Sequence, residues 1–176
     1  MALSIYDVTI PALIRGFNNL SAILAKAEAD AMATGIDPNV YLQARLAPDM
    51  FPLTAQVQRA SDTAKGCVVR LGAVEPVSFA DTETTFPELE ERIAKTVSLL
   101  RGVKAADLEG AAEHKVEMKF GERTIVLDGR SYVTGFVLPN FYFHIATAYD
   151  LLRHKGLKIG KADYIGLDGL EAKSEA

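Results

Sequence analysis

Residues 138–166, LPNFYFHIATAYDLLRHKGLKIGKADYIG, decide the fold of this chain. Apolar residues recur there at spacings of three and four, which predicts one face of a helix. They are Leu138, Phe141, Ile145, Ala148 and Leu152. His144 lies at the edge of this face, where a histidine must satisfy its ring nitrogens internally or bind something. The helix is predicted to run over about 131–155, with a bend at Pro139 and an end at Gly156.

Three further amphipathic helices are predicted before this stretch. The first starts at Ser4, which with Asp7 can cap it, and ends at Gly35; Pro11 is expected to kink it or to begin a second helix. The second is predicted over about 51–72, and the third over 85–103 with a capping box of Thr85 and Glu88. The apolar face of the first comprises Leu3, Tyr6, Ile10, Leu13, Phe17, Leu20, Leu24 and Ala27.

The segments between the helices carry different patterns. Residues 36–50 predict an ordered connection with a brief helix, and 74–84 a polar connection. Over 115–127 the hydrophobic period changes to two, which favours a β-hairpin with its turn at Gly121 and Glu122. This register pairs Met118 with Ile125, and Val116 with Leu127. The fold class is therefore all-α: a four-helix bundle with a short hairpin between helices three and four, in a single domain over 1–166. A flexible tail is expected over 167–176.

Composition excludes several classes of function. The formal net charge is −4 and no long basic run occurs, whereas binding to a nucleic-acid backbone needs a concentrated positive patch. No uninterrupted apolar run reaches the roughly 18 residues that cross a bilayer, so no membrane partner is expected. The start does not read as a signal peptide, and the single cysteine, Cys67, excludes an internal disulfide framework. We therefore expect a cytoplasmic protein.

Three motifs together resemble an uncharacterised bacterial family of the DinB/YfiT-like superfamily. They are YDVTIP at 6–11, DMFPLTAQVQRASD at 49–62 and the stretch at 138–166. The resemblance implies a four-helix bundle with long crossover connections, which frequently forms homodimers. Many DinB-like proteins hold a divalent metal with three histidines, one on the second helix and two spaced four apart on the last. Some act as thiol transferases or hydrolases.

The metal pattern of that superfamily is incomplete in this chain. His144 matches the first histidine of the last-helix pair, but the position four residues later is Ala148, and the second helix offers Gln56 instead of a histidine. His154 lies ten helical residues from His144, about 15 Å along the axis, which is too far for a shared ion. No cofactor is therefore predicted, and His144 is the only candidate ligand for a divalent metal. His114 could reach the site only by folding back.

The sequence leaves two interpretations of His144 open. It either contributes to a ligand pocket between helices or is a core histidine with both nitrogens satisfied by hydrogen bonds. The candidate pocket residues are His144, Gln56, Asn140, Tyr142 and Tyr149. Asn140 can instead satisfy a backbone carbonyl freed at Pro139. Catalytic residues cannot be assigned.

Adjacent aromatic residues at 141–143 predict an interface. Phe141, Tyr142 and Phe143 surround the helix at one level, which a single core cannot bury, so part of them must face a second subunit, the hairpin or a ligand. The expected function is that of a dimeric small-molecule-binding or non-catalytic bundle protein with a pocket near His144. The alternatives are a metal-dependent hydrolase or thiol transferase, and a structural or partner-binding protein.

Overall fold

Four long helices form the bundle in a computed structural model that describes residues 3–167. They are α1 (Ile5–Thr34), α3 (Leu53–Arg70), α4 (Phe86–Gly102) and α6 (Leu138–His154), with the short helix α2 (Asn39–Leu42) between the first two. Around the bundle α1 contacts α4, α4 contacts α3, α3 contacts α6, and α6 contacts α1. Helices α1 and α3 thus lie diagonally opposite, so their connection crosses the bundle end. The predicted all-α four-helix bundle is confirmed.

Helix α1 has the predicted boundaries. Ser4 and Asp7 form the capping box, Gly35 ends the helix in the left-handed conformation, and the helix continues through Pro11 without a second start. The predicted apolar face is buried from Ile10 to Ala27, but Leu3 is exposed because it precedes the first turn. At Gly16 an added Cβ would lie 2.6 Å from the Phe141 ring, so this glycine permits close approach of α6.

Length and composition alone would let α1 span a membrane; no other described helix meets both criteria. Core helices and signal sequences pass the same test, so this is weak support for a membrane role. The apolar face of α1 packs in the bundle core against the Phe141 side of α6, with the Phe17 and Phe141 ring centroids 5.1 Å apart.

The connection between α3 and α4 is held by a buried arginine. Arg92, 2% exposed, binds Asp62 at 3.0 Å, Asp81 at 3.0 Å, Glu83 at 2.9 Å and the carbonyl oxygen of Ala80 at 3.0 Å. Asp62 belongs to α3, while the other partners belong to the connection. Arg92 therefore binds the predicted polar connection to α4, while Arg59 and Gln58 of α3 bind it through Asp81 and Glu83.

The hairpin has the predicted register. Strand β1 (Lys115–Phe120) pairs antiparallel with β2 (Arg123–Asp128), so that Met118 faces Ile125 and Val116 faces Leu127. Gly121 begins the turn with φ of 58°, which glycine adopts without steric cost. Val116 and Met118 are buried, whereas Ile125 is exposed. The hairpin thus contacts the bundle mainly through β1.

The last long helix is distorted before Pro139. It begins as α5 (Gly129–Tyr132), passes through a π-helical turn over Val133–Val137 and continues as α6. Proline has no N–H and its ring clashes with the carbonyl four residues earlier, that of Gly135, so the wider turn accommodates it. The bend predicted at Pro139 is thus corrected to a π-turn that precedes it.

After α6 the chain returns to α1 through a short helix, α7 (Lys161–Ile165). Asn19 donates to the carbonyl oxygen of Tyr164 and Arg15 to that of Ile165, both at 3.0 Å. Except for Leu167, the tail predicted over 167–176 lies outside the described residues.

Candidate functional site

Three polar side-chain contacts join α3 to the last long helix. Gln56 meets His144 at 2.7 Å, Thr63 meets Asn140 at 2.7 Å, and Arg70 meets Tyr132 at 3.4 Å. The α3 numbers rise while the partner numbers fall, so the helices are antiparallel here. His144 and Asn140 are four residues apart, which places both on the α6 face that looks onto α3.

The hydrogen bonds of Gln56 fix the tautomer of His144. The side-chain N–H of Gln56 donates to the carbonyl oxygen of Phe51 at 3.1 Å, so Gln56 Oε1 is the acceptor that faces the imidazole. His144 Nδ1 must therefore carry the proton in the 2.7 Å contact. This leaves Nε2 unprotonated, with a lone pair that can accept a hydrogen bond.

Burial and charge both keep this imidazole neutral. Removal from solvent lowers the pKa of His144 from its ordinary 6.5, and the positive charge of Arg59 lowers it further. Among the described residues Nε2 has no hydrogen-bond partner, and it is not among the fully buried unpartnered atoms, so it retains solvent access. A neutral acceptor therefore faces an accessible space.

That space is an open cleft of about 290 Å³ between α3, α6 and the hairpin. Asn140, Thr63 and His144 contribute polar groups to its wall. Its apolar wall comes from the residues just before α3, from the hairpin and from the π-turn. The side chains are those of Phe51, Met118, Phe120 and Phe136. Phe120 and Phe136 are in edge-to-face contact, with ring centroids 5.9 Å apart. The volume is near the lower limit for small-molecule sites.

The charged groups of the cleft are mostly cationic. Arg59, Arg70 and Lys119 contribute positive charge against the single carboxylate of Asp62. Arg59 is paired with Asp62 at 3.2 Å and also with Asp81, and Lys119 is 3.8 Å from Glu117. Arg70 makes no ion pair with any described residue. The cleft thus holds a cation without a counter-charge in a protein of net charge −4.

The structure separates the five predicted pocket residues into two groups. His144, Gln56 and Asn140 lie together at the cleft, with Gln56 behind the imidazole. Tyr142 instead faces a groove between α1, α6 and α7, and Tyr149 packs against Tyr164 with ring centroids 5.9 Å apart. Two residues rotate a helix by about 200°, which directs Tyr142 away from His144. The structure thus does not bring Tyr142 or Tyr149 to the cleft beside His144.

Neither a reactive thiol nor the superfamily's metal site fits the residues present. Cys67 is completely buried, which raises the pKa of its thiol to about 12. Within residues 3–167 no cluster of three or more histidine, cysteine, aspartate or glutamate side chains could hold a metal ion. Beside His144, Ala148 has no donor atom and the Gln56 oxygen is engaged by the imidazole.

Sequence patterns alone did not identify the cationic part of the cleft. Arg59, Thr63, Gly66 and Arg70 recur at spacings of four, three and four, which places them on one α3 face. This spacing could have identified the polar face of α3, but the interpretation of the helix used only its apolar residues. Phe120 and Met118 could not be assigned to the site because the hairpin's position depends on long-range packing.

Comparison with known proteins assigns this chain to a family. The sequence model of the domain of unknown function DUF1993 matches residues 5–165. The crystal structure of a DinB family member protein from Shewanella denitrificans superposes with a TM-score of 0.87 at 39% identity, covering 97% of this chain and 95% of that one. No curated protein matches. The chain therefore belongs to the DUF1993 family, an uncharacterised family with a DinB-like fold.

Proposed function

We propose that this protein binds a small organic molecule in the cleft beside His144. The observation that carries the proposal is the unprotonated Nε2 of a buried imidazole, which no residue within 3–167 engages while Gln56 holds the other nitrogen. A core histidine would have both nitrogens engaged within the fold. A ligand with an O–H or N–H group would complete the hydrogen bonds of His144.

The cleft walls support an amphipathic ligand. Exposed aromatic surface lies at the mouth, where Phe51 and Phe120 are 54% and 46% exposed. Such rings can cover the apolar part of a ligand while Asn140 and His144 orient its polar groups. A purely structural role would predict a filled seam between α3 and α6, so the open cleft favours binding.

The hydrolase and thiol-transferase alternative has less support. The resemblance to the DinB/YfiT-like superfamily implies a three-histidine metal site, and its donor set is incomplete around His144 within residues 3–167. His144 Nε2 could accept a proton from a bound molecule at neutral pH, but the described residues of the cleft include no nucleophile held against it.

We also propose that the protein is a homodimer, in which a second copy covers the aromatic surface beside the cleft. Phe143 is 55% exposed and its ring centroid is 5.3 Å from that of His144. Phe51 and Phe120, on the wall of the cleft, are also exposed. Coverage by a second copy would remove these three aromatic side chains, here called the aromatic rim, from water.

Histidine NMR tests the binding proposal directly. The probe is a set of phenols, each with a short alkyl chain that ends in carboxylate, carboxamide or ammonium. We expect some members to shift the imidazole resonances of His144, while those of the exposed His114 and His154 serve as internal references. Measured by calorimetry, binding should be abolished in His144→Phe and preserved in Tyr142→Phe, a substitution in the other groove. If no member perturbs His144, the binding proposal is wrong.

A further inference from the structure

The unpaired cation of the cleft lies apart from His144. The Arg70 guanidinium folds back over Gly66, where an added Cβ would meet its Nη1 at 2.3 Å. The absence of a side chain at Gly66 therefore leaves room for it. Its contact to the Tyr132 hydroxyl is long, at 3.4 Å, and uses one of the five N–H donors of the guanidinium. Most of the hydrogen-bonding capacity of Arg70 is thus available to a ligand.

The other cations of the cleft are already compensated. Two carboxylates, Asp62 and Asp81, neutralise Arg59, and those carboxylates also bind Arg92. Lys119 is 76% exposed and near Glu117, so water screens it strongly. Arg70 is exposed too, but it lies on the cleft wall and no described carboxylate balances its charge.

The two polar ends of the cleft are His144 and Arg70, and the helical rise of α3 gives the distance between them. His144 faces the α3 turn that contains Gln56 and Arg59, whereas the Arg70 guanidinium lies at the level of Gly66. At a rise of 1.5 Å per residue, Gly66 is about 10 Å from Arg59 and about 15 Å from Gln56 along the helix. Between these ends Thr63 and Asn140 bind each other, and Phe136 and Met118 supply apolar surface.

Resting on the binding function proposed above, we infer that the ligand is an elongated organic anion. Its carboxylate, or another planar anionic group, binds Arg70, and a hydroxyl or N–H group about 10–15 Å away donates to Nε2 of His144. The apolar middle of the ligand lies against Phe136 and Met118. A guanidinium binds a carboxylate through two parallel hydrogen bonds, so Arg70 selects for charge and orientation together.

The matched phenols separate this inference from the proposal on which it rests. In each trio the carboxylate, carboxamide and ammonium members share one skeleton, and affinity is measured by NMR titration or calorimetry. We expect the carboxylate to bind at least about tenfold more tightly than the carboxamide, as is typical of a charge-assisted pair. Arg70→Gln should remove this preference, while Arg101→Gln, an exposed arginine on α4, should retain it.

Each of the other possible results would contradict one specific part of the inference. Equal binding of carboxylate and carboxamide to the unmodified protein would disprove the anionic ligand and leave the binding function intact. A preference for the carboxylate that persists in Arg70→Gln would disprove the role of Arg70. If no member perturbs His144, the binding function itself fails, and the inference with it.

Discussion

The contact between Gln56 and His144 determines which imidazole nitrogen faces the cleft. In Gln56→Leu the Nδ1 proton loses its acceptor, so the imidazole should shift toward the tautomer protonated on Nε2. Imidazole nitrogen chemical shifts measure this change. Because the buried Nδ1 lacks a partner in either tautomer, the substitution should also cost about 1–3 kcal/mol of unfolding free energy, measured by chemical denaturation.

Gln43→Leu is the matched control for that substitution, because Gln43 is exposed outside the bundle. It should leave the tautomer and the stability nearly unchanged. A Gln56→Leu protein whose imidazole keeps its proton on Nδ1 would contradict the hydrogen-bond assignment.

The lowered pKa of His144 predicts a specific pH dependence. Burial and the charge of Arg59 keep the native imidazole neutral, while in the unfolded chain it titrates near 6.5. As the pH falls below about 6.5, the unfolded state therefore binds a proton that the native state does not, and stability decreases until the native imidazole is also protonated. Well above pH 6.5 the imidazole is neutral in both states, so His144 no longer makes the stability depend on pH.

Comparison with His144→Gln isolates that effect from all other titrating groups. Between pH 7.5 and 5.5 the unmodified protein should lose stability relative to the variant, as measured by denaturation at each pH. The NMR titration midpoint of His144 should lie below 6.5. A midpoint above this value would show that the imidazole is not held neutral.

At the scale of elements, Arg92 connects α4, α3 and the segment between them. Its side chain is 1% exposed, so Arg92→Met would leave Glu83, 11% exposed, without an ion-pair partner among the described residues and would remove one of the three cations that bind Asp62. We expect a loss of about 2–4 kcal/mol in unfolding free energy, since breaking a buried ion pair from one side is costly. The connection over 74–84 should also become sensitive to proteases.

Lys95→Met provides the control on the same helix. Lys95 pairs with Glu91 at 2.7 Å, but both side chains are more than half exposed, so the loss should stay within about 0.5 kcal/mol. Equal effects of the two substitutions would refute the role assigned to Arg92.

Local sequence patterns predicted where the helices and strands lie, but not where a helix is distorted. Hydrophobic periodicity and capping residues predicted the four helices, and the alternation around Gly121 predicted the hairpin with its register. The π-turn at 133–137 was missed because Pro139 indicates a disturbance but does not define how the preceding turn absorbs it. The sequence did not predict that the connection over 74–84 is bound to the helices. This depends on Arg92, and its position in the helical pattern predicts a solvent-facing residue.

The candidate site was predictable only where it follows helical spacing. His144 was identified from its place beside an apolar stripe, and Gln56 from its place on the inward face of α3. Arg70 and Phe120 belong to the site only because the hairpin and α3 come together in the folded chain. Tyr142 and Tyr149 were grouped with His144 by proximity in sequence, which ignores their different directions around α6.

At the scale of the whole molecule, the remaining prediction concerns assembly. Phe51 and Phe120 lie on the cleft wall and Phe143 lies beside His144, and all three are exposed, so a second copy that packs on this aromatic rim would bury aromatic surface and narrow the opening. Light scattering coupled to size exclusion should give the mass of a dimer for the unmodified protein. Phe143→Glu should give a monomer, because burying an unpaired carboxylate at the contact is unfavourable. Met32→Glu, a charge added at another exposed apolar position, should remain dimeric. A monomeric unmodified protein, or a Phe143→Glu dimer, would contradict assembly through this rim.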